Sequence, residues 1–230
     1  MSISNEIREL LKQEGCNIVG FADLRELSAE TRQNFDYGIV MALSYSKEAM
    51  LEHKNGSMLK YYDEWKAMNP RLDSIAEKTA RFLTDKGYKA FAQLPSTRVS
   101  DSNWRTILPH KTVSTLSGIG WIGKCAMLVT PEVGSALRLR VVLTNAPVDC
   151  GTPIKTSFCN PSCNACVNAC PGKAPKGGLW SVETDRDTFF DANACRKAAR
   201  ARAKETLDIN ETLCGMCISN CPFTKLGLGY

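Results

Sequence analysis

Apolar positions three and four apart open the chain. Ile3, Ile7, Leu10 and Leu11 share one face of a helix over residues 3–14, which Gly15 ends. The apolar run Ile18 to Ala22 predicts a short strand, and Cys16 before it reads as a small buried hydrophobe. Tyr37 to Tyr45 is apolar at nearly every position, as in a strand covered on both faces. Residues 46–69 are polar and aromatic, and Tyr61, Tyr62 and Trp65 suit either a pocket wall or a core. From Pro70 the period is helical: Leu72, Ile75, Ala76, Thr79, Phe82 and Leu83 form one stripe that runs to Lys86 and stops at Gly87. Tyr88 to Leu94 returns as a strand. Residues 95–109 have no period and read as a loop of the kind that carries function. A helix follows from His110 to Ser117, and strands Ala126–Thr130 and Leu137–Thr144 flank Thr130–Gly134 as a hairpin. Arg138 and Arg140 fall on one face of the last strand, Leu137, Leu139 and Val141 on the other. These elements predict an α+β fold: an α/β sandwich over residues 1–150, then a linker, then a second domain over residues 151–230.

The second domain is organised by cysteine spacing. It reads C-N-P-S-C-N-A-C-V-N-A-C-P from Cys159, then Cys195, then C-G-M-C-I-S-N-C-P from Cys214. Two runs that each close on C-x3-C-P are the pattern of paired [4Fe–4S] clusters, in which the last cysteine of each run ligates the other cluster. The expected sets are Cys159, Cys163, Cys166 with Cys221, and Cys214, Cys217, Cys195 with Cys170. Pro171 and Pro222 restrict the cysteine before them and turn the chain away from the cluster. The gap from Cys159 to Cys163 is one residue longer than the usual two, so either Asn160-Pro161-Ser162 bulges or Cys150 replaces Cys159. Zinc accepts C-x-x-C pairs but does not ask for the third cysteine or for C-x3-C-P twice. Disulfides need an oxidising compartment.

Composition narrows the setting. A hydrophobic content of 43% over 230 residues is that of a globular protein, and no apolar run approaches a membrane span. The N-terminus M-S-I-S-N-E lacks the features of a signal peptide, so the expected compartment is the cytoplasm, in a cell of anaerobic habit. The net charge of +5 gathers in the run from Arg196 to Lys204, a solvated helix face or a docking surface for an acidic electron donor or nucleic acid.

The segment G-I-G-W-I-G-K from Gly118 to Lys124 places three glycines where backbone can approach a flat or bulky group. It is neither a phosphate loop nor a dinucleotide fingerprint. With L-V-T-P-E-V-G-S after it, and then the doubled cysteine motif, the chain resembles the epoxyqueuosine reductase family, which shares a cobalamin-plus-two-cluster architecture with reductive dehalogenases. The resemblance implies a distantly nitroreductase-like sandwich holding base-off cobalamin, followed by a ferredoxin-like double-cluster domain. The matched positions are Gly118, Gly120, Trp121, Gly123, Lys124, Thr130, Pro131, Gly134, Ser135 and the eight cluster cysteines. Base-off binding suits a chain whose histidines are His53 and His110. Arg138 and Arg140 are also placed to contact carbonyl or phosphate groups of a cofactor.

Two departures from the family bear on substrate. The tRNA-reducing members carry a catalytic aspartate in D-x-x-P-V-L-E-R; by ungapped spacing that position here is Trp104, with Asp101 three residues earlier. Helical repeats that bind tRNA often follow in that family, whereas this chain ends nine residues after Cys221. The expected function is therefore passage of low-potential electrons from a ferredoxin or flavodoxin through two clusters to a bound base-off cobalamin, with a corrinoid protein as a further candidate partner and tRNA set aside. A plain electron carrier without corrinoid and a tRNA epoxide reductase are the alternatives. Asp101 and His110 are the candidate proton donors.

Overall fold

A computed structural model describes residues 2–95 and 100–230; positions 96–99 of the expected loop lie outside the described residues. Helices and strands mix along the chain, which divides into two compact units. The first is Met1–Ser44, Ala67–Gly120 and Arg138–Ile154; the second is Tyr45–Lys66, Trp121–Leu137 and Lys155–Tyr230. The expected boundary at 150/151 falls beside the last crossing, and the second unit also takes in two earlier segments.

In the first unit, α1 (Ile3–Gln13) starts where the Ser2 side chain accepts from the Asn5 N–H, and it buries Ile7 and Leu11. Strands β1 (Ile18–Asp23) and β2 (Tyr37–Ser44) pair antiparallel, Ile18 opposite Ala42 and Asp23 opposite Tyr37. Strand β3 (Ala90–Gln93) pairs antiparallel with β6 (Leu137–Thr144), completing a sheet of order β1-β2-β6-β3. Six buried residues of β2, Gly38 to Leu43, account for its continuous apolar run. Helix α4 (His110–Leu116) packs on β1 and β2, and Val113 joins Ala22, Leu24, Val40, Leu108, Val141 and Leu143 in one core.

Two expected elements differ. The helix expected from Pro70 begins eleven residues earlier, as α3 (Leu59–Asp85), with Pro70 inside it. An interior proline removes one helical hydrogen bond and crowds the preceding turn. Here the apolar stripe does not stop at the proline: Tyr61 and Met68 before it, and Leu72, Ile75, Ala76 and Leu83 after it, are all buried. Burial of that face at ~1.5–3 kcal/mol per large side chain outweighs a proline cost of ~3 kcal/mol. The hairpin expected between 126–130 and 137–144 does not form either. Thr130 and Gly134 exchange backbone hydrogen bonds of 2.9 and 3.0 Å, closing the turn. The short β5 (Leu128–Val129) pairs instead with β4 (Trp121–Ile122), while β6 belongs to the four-stranded sheet.

The second unit is built of short pieces: α2 (Lys47–Lys54), α5 (Ala165–Ala169), α6 (Arg186–Phe189), α7 (Ala192–Leu207), α8 (Met216–Ser219) and α9 (Pro222–Leu228). Helices of four or five residues are not stable alone, so tertiary contacts hold them. Helix α8 packs on α2 and α5. The basic run lies on α7, with Lys197, Arg200 and Lys204 exposed and Ala199 and Ala203 buried. No described helix is long and apolar enough to cross a membrane.

Candidate metal centre

Cys159, Cys163, Cys166 and Cys221 line one cavity of about 380 Å3 in the second unit. Three come from the first run and the fourth from the end of the second, which is the crossed set expected from spacing. Burial raises the Cys214 thiol, the Met216 N–H and the Arg202 charge lower it, and a smaller raising effect comes from Cys170, the cysteine expected to cross to that run. The remaining members, Cys195 in the first turn of α7 and Cys217 in α8, are half-buried. None of the cysteines is in a disulfide. Among the described residues, no three His, Cys, Asp or Glu side chains converge as ligands of a single ion do. A cluster accepts a wider spread, because each thiolate binds a different iron.

The Cys-Pro steps do what the fixed proline ring requires. Cys170 (φ −77°, ψ 116°) and Cys221 (φ −65°, ψ 128°) are extended. Cys221 is the N-cap of α9 and Pro222 its first residue. Burial pushes the Cys221 thiol up, and the backbone N–H groups of Phe223 and Thr224 pull it back. Those two donors favour the thiolate, the form that binds iron.

The long first gap is resolved by a bulge. The Cys163 N–H donates to the Asn160 carbonyl at 3.0 Å. The Asn160 side-chain oxygen accepts from the Ser162 N–H at 2.9 Å and from its hydroxyl at 2.8 Å. The extra residue is thus folded into a tight turn and Cys159 still reaches the cavity. Cys150 lies in the first unit, exposed, with its thiol 3.5 Å from the Val148 carbonyl.

Three residues that spacing left unassigned brace this centre. Lys124 is 2% exposed, lines the cavity, and donates from Nζ to the carbonyls of Pro161 at 2.7 Å and Cys163 at 2.9 Å. His53 is fully buried, with Nε2 at 2.6 Å from the Cys214 carbonyl and Nδ1 at 2.8 Å from the Ser219 hydroxyl. A carbonyl only accepts, so Nε2 carries a proton. Burial pushes the imidazole down to about 4, so it is neutral and Nδ1 accepts from Ser219. Cys125, buried, lines the same cavity as Cys166; the Cys166 thiol pulls its pKa down, but the Cys217 thiol and burial push it well above the ordinary value and hold it protonated. Nothing in the sequence marks it, because it stands outside both runs.

The turn at Thr130–Gly134 has a structural task here. Gly134 lies at φ +58°, and a Cβ on it would sit 2.2 Å from the Thr224 nitrogen. The next N–H, of Ser135, donates to the Thr224 hydroxyl at 3.1 Å. The turn therefore lies directly against the start of α9, where Cys221 is presented.

The glycine-rich motif is cut by the unit boundary at 120/121. Gly118 and Gly120 belong to the first unit. Gly118 has φ +76°, and a Cβ there would meet the Thr152 carbonyl at 2.4 Å, so its own chain fills that space. Trp121, Gly123 and Lys124 belong to the second. A Cβ on Gly123 would meet the Val129 side chain at 2.8 Å and lie 3.5 Å from the Cys159 sulfur, so the bare backbone lets this segment pack closely against β5 beside the thiol cavity. Trp121 packs its ring against Phe158 and Phe223 at centroid distances of 5.1 and 4.9 Å. Arg138 donates to the Asn69 side chain at 3.0 Å, and Arg140 to Asp73 and to the Leu139 carbonyl. The arginines are thus engaged with α3. We expect Asp73→Ala to leave the buried Arg140 guanidinium unpaired and cost about 3 kcal/mol of stability, read as a lower thermal midpoint at unchanged iron content.

Asp101 is exposed, and its carboxylate accepts backbone N–H bonds from Asn103 and Arg105, both at 2.8 Å. It holds its own turn. Trp104 is 43% exposed with φ +61°. His110 is the first residue of α4, half-buried, in the first unit.

The thiol cavity suits a [4Fe–4S] cluster by its donor set: four cysteines and a buried cation. Trp121 Nε1 adds a buried N–H with no acceptor among the described residues. Of the residues that the resemblance assigns to a corrinoid, Gly118 is packed against Thr152 and Arg138 and Arg140 are engaged with α3.

No protein-family model matches the chain. It is 40% identical over 140 residues to an epoxyqueuosine reductase of Listeria monocytogenes, an alignment covering 58% of this chain and 34% of the relative. It is 31% identical over 121 residues to the tetrachloroethene reductive dehalogenase of Sulfurospirillum multivorans, covering 47% of this chain and 22% of the relative. The matches thus span about a third or less of those relatives' lengths. Among solved structures, a catabolic reductive dehalogenase superposes with TM-score 0.69 at 20% identity, over 95% of this chain and 31% of that one. A reductive dehalogenase described as B12-dependent gives 0.64 at 22% identity, over 94% and 31%. An epoxyqueuosine reductase with an epoxyqueuosine-modified tRNA-Tyr stem loop gives 0.60 at 20% identity, over 96% and 65%. The chain is thus similar in sequence, over part of its length, to epoxyqueuosine reductases, and similar in fold to both epoxyqueuosine reductases and reductive dehalogenases.

Proposed function

We propose that this chain is a double-cluster oxidoreductase that passes low-potential electrons to a base-off cobalamin. The observation that carries the reading is the crossed cavity: Cys221 joins Cys159, Cys163 and Cys166 across 55 or more residues of sequence. When bound, the clusters supply one-electron transfer and the cobalamin supplies the corrinoid chemistry. The chain's own part is to hold the thiolates apart, to present Cys221 at the start of α9, and to place Lys124 and Trp121 where bulk water is excluded. The B12-dependent neighbour supports cobalamin as the acceptor. Anaerobically reconstituted protein is expected to hold about eight irons and eight sulfides and to retain cobalamin on equilibrium dialysis. Full iron with no cobalamin retained leaves the plain electron carrier.

A second reading, reduction of epoxyqueuosine in tRNA, is favoured by the name of the 40%-identical relative and by the stem-loop complex among the structural neighbours. These return tRNA to the candidate partners, from which the sequence reading had removed it. The local chemistry opposes it, because Trp104 stands at the acid's position and Asp101 is occupied by two backbone donors. The loaded protein with a reductant and an epoxyqueuosine stem loop decides the matter by mass spectrometry of the nucleoside. If turnover occurs, a hundredfold loss in Asp101→Asn or His110→Ala, about 3 kcal/mol, marks the proton donor. For a protein that only reduces cobalamin, both variants are expected to stay within a few-fold of wild type.

A further inference from the structure

We infer that Lys124 is a positioning residue whose buried charge makes the cluster of Cys159, Cys163, Cys166 and Cys221 easier to reduce. The inference rests on the two-cluster reading and adds to it a residue that controls one cluster and not the other.

Lysine is seldom buried without a negative partner, because removing an ammonium from water costs several kcal/mol. Lys124 is 2% exposed, and its two hydrogen-bond acceptors are carbonyls, which carry only partial charge. Full negative charge is available from the four cysteines with which it shares the cavity. A [4Fe–4S] cluster with four thiolates goes from a net charge of about −2 to about −3 on taking one electron. A fixed cation in a poorly solvated site stabilises the more negative state more than the less negative one. The potential of that cluster therefore rises. Selectivity follows from position: both carbonyls that hold the ammonium, of Pro161 and Cys163, belong to the bulged loop of the first run. The matching Cys214 loop of the second run is braced by His53. Sequence order gives no hint of this, since Lys124 lies 37 and 39 residues before its two acceptors.

The test is an anaerobic redox titration of the reconstituted protein with dithionite as electron source, followed by electron paramagnetic resonance. Lys124→Gln keeps a donor for the carbonyls and removes the charge; Lys124→Arg keeps the charge. In Lys124→Gln one cluster signal is expected to develop at a more negative potential while the other overlays wild type, and Lys124→Arg is expected to stay near wild type. Loss of about four irons in Lys124→Gln that Lys124→Arg restores also supports a charge-dependent role. Unchanged potentials in Lys124→Gln overturn the inference. So does an equal shift of both clusters, or an iron loss that Lys124→Arg fails to restore. Wild-type protein that holds no iron or sulfide sinks the cluster reading itself, before Lys124 is tested.

Discussion

Cys221→Ser is expected to strip iron from the first cysteine run and spare the run to which it belongs. About four of about eight irons should be lost, and Cys159→Ser should produce the same spectral change. The reason is spatial. Cys221 is 4 residues from Cys217 in sequence, yet it faces the cavity lined by Cys159, Cys163 and Cys166. The extended backbone before Pro222 and the start of α9 aim it there. Iron and sulfide analysis of single and double variants separates the alternatives. Cys159→Ser combined with Cys221→Ser should lose no more than either alone, whereas Cys214→Ser combined with Cys221→Ser should lose nearly all. If Cys221→Ser and Cys214→Ser prove equivalent and non-additive, the crossing is wrong.

The second large effect is expected at Gly134, far from any cysteine in sequence. At φ +58° a side chain costs about 1–2 kcal/mol in backbone strain. A Cβ would also lie 2.2 Å from the Thr224 nitrogen and 2.6 Å from the Phe223 carbonyl carbon, both backbone atoms that cannot rotate away. Overpacking of that kind adds about 1–3 kcal/mol. Gly134→Val is therefore expected to destabilise by about 3 kcal/mol or more. It should also lower iron content, because displacing Phe223 and Thr224 moves the start of α9, where Cys221 is presented to the cavity. Gly56→Ala is the control: φ is +109°, with nothing within 4 Å of the added carbon. It should show the backbone strain alone and keep its iron. Equal losses of stability and iron in the two variants would show that contact with α9 is irrelevant.

Sequence alone determined those features that depend on near neighbours along the chain. Ile3, Ile7 and Leu11 repeat within one helix, and Tyr37 to Ser44 is apolar because both faces of a strand are covered. The cysteine runs are legible for the same reason, since C-x-x-C and C-x3-C-P are local constraints on how thiolates meet a cluster. The expectation that Cys170 and Cys221 cross over is read from the same local pattern, and the structure brings Cys221 to the cavity of the first run.

Tertiary structure alone decided what depends on partners distant in sequence. Pro70 reads as a helix start, but the buried face running through Tyr61, Met68, Leu72 and Ile75 carries α3 across it. Thr130–Gly134 reads as a hairpin, but its first arm pairs with β4 and its second arm belongs to the four-stranded sheet. Cys150 and Cys159 were equivalent by spacing until the Asn160 turn folded the extra residue away and brought Cys159 to the cavity. In sequence Lys124 is a position matched to the family's glycine motif and His53 an unremarkable imidazole. Each becomes a brace because the groups that satisfy it lie 37 to 39 and 161 to 166 residues further on, and a buried polar group must find its partner wherever the fold puts one.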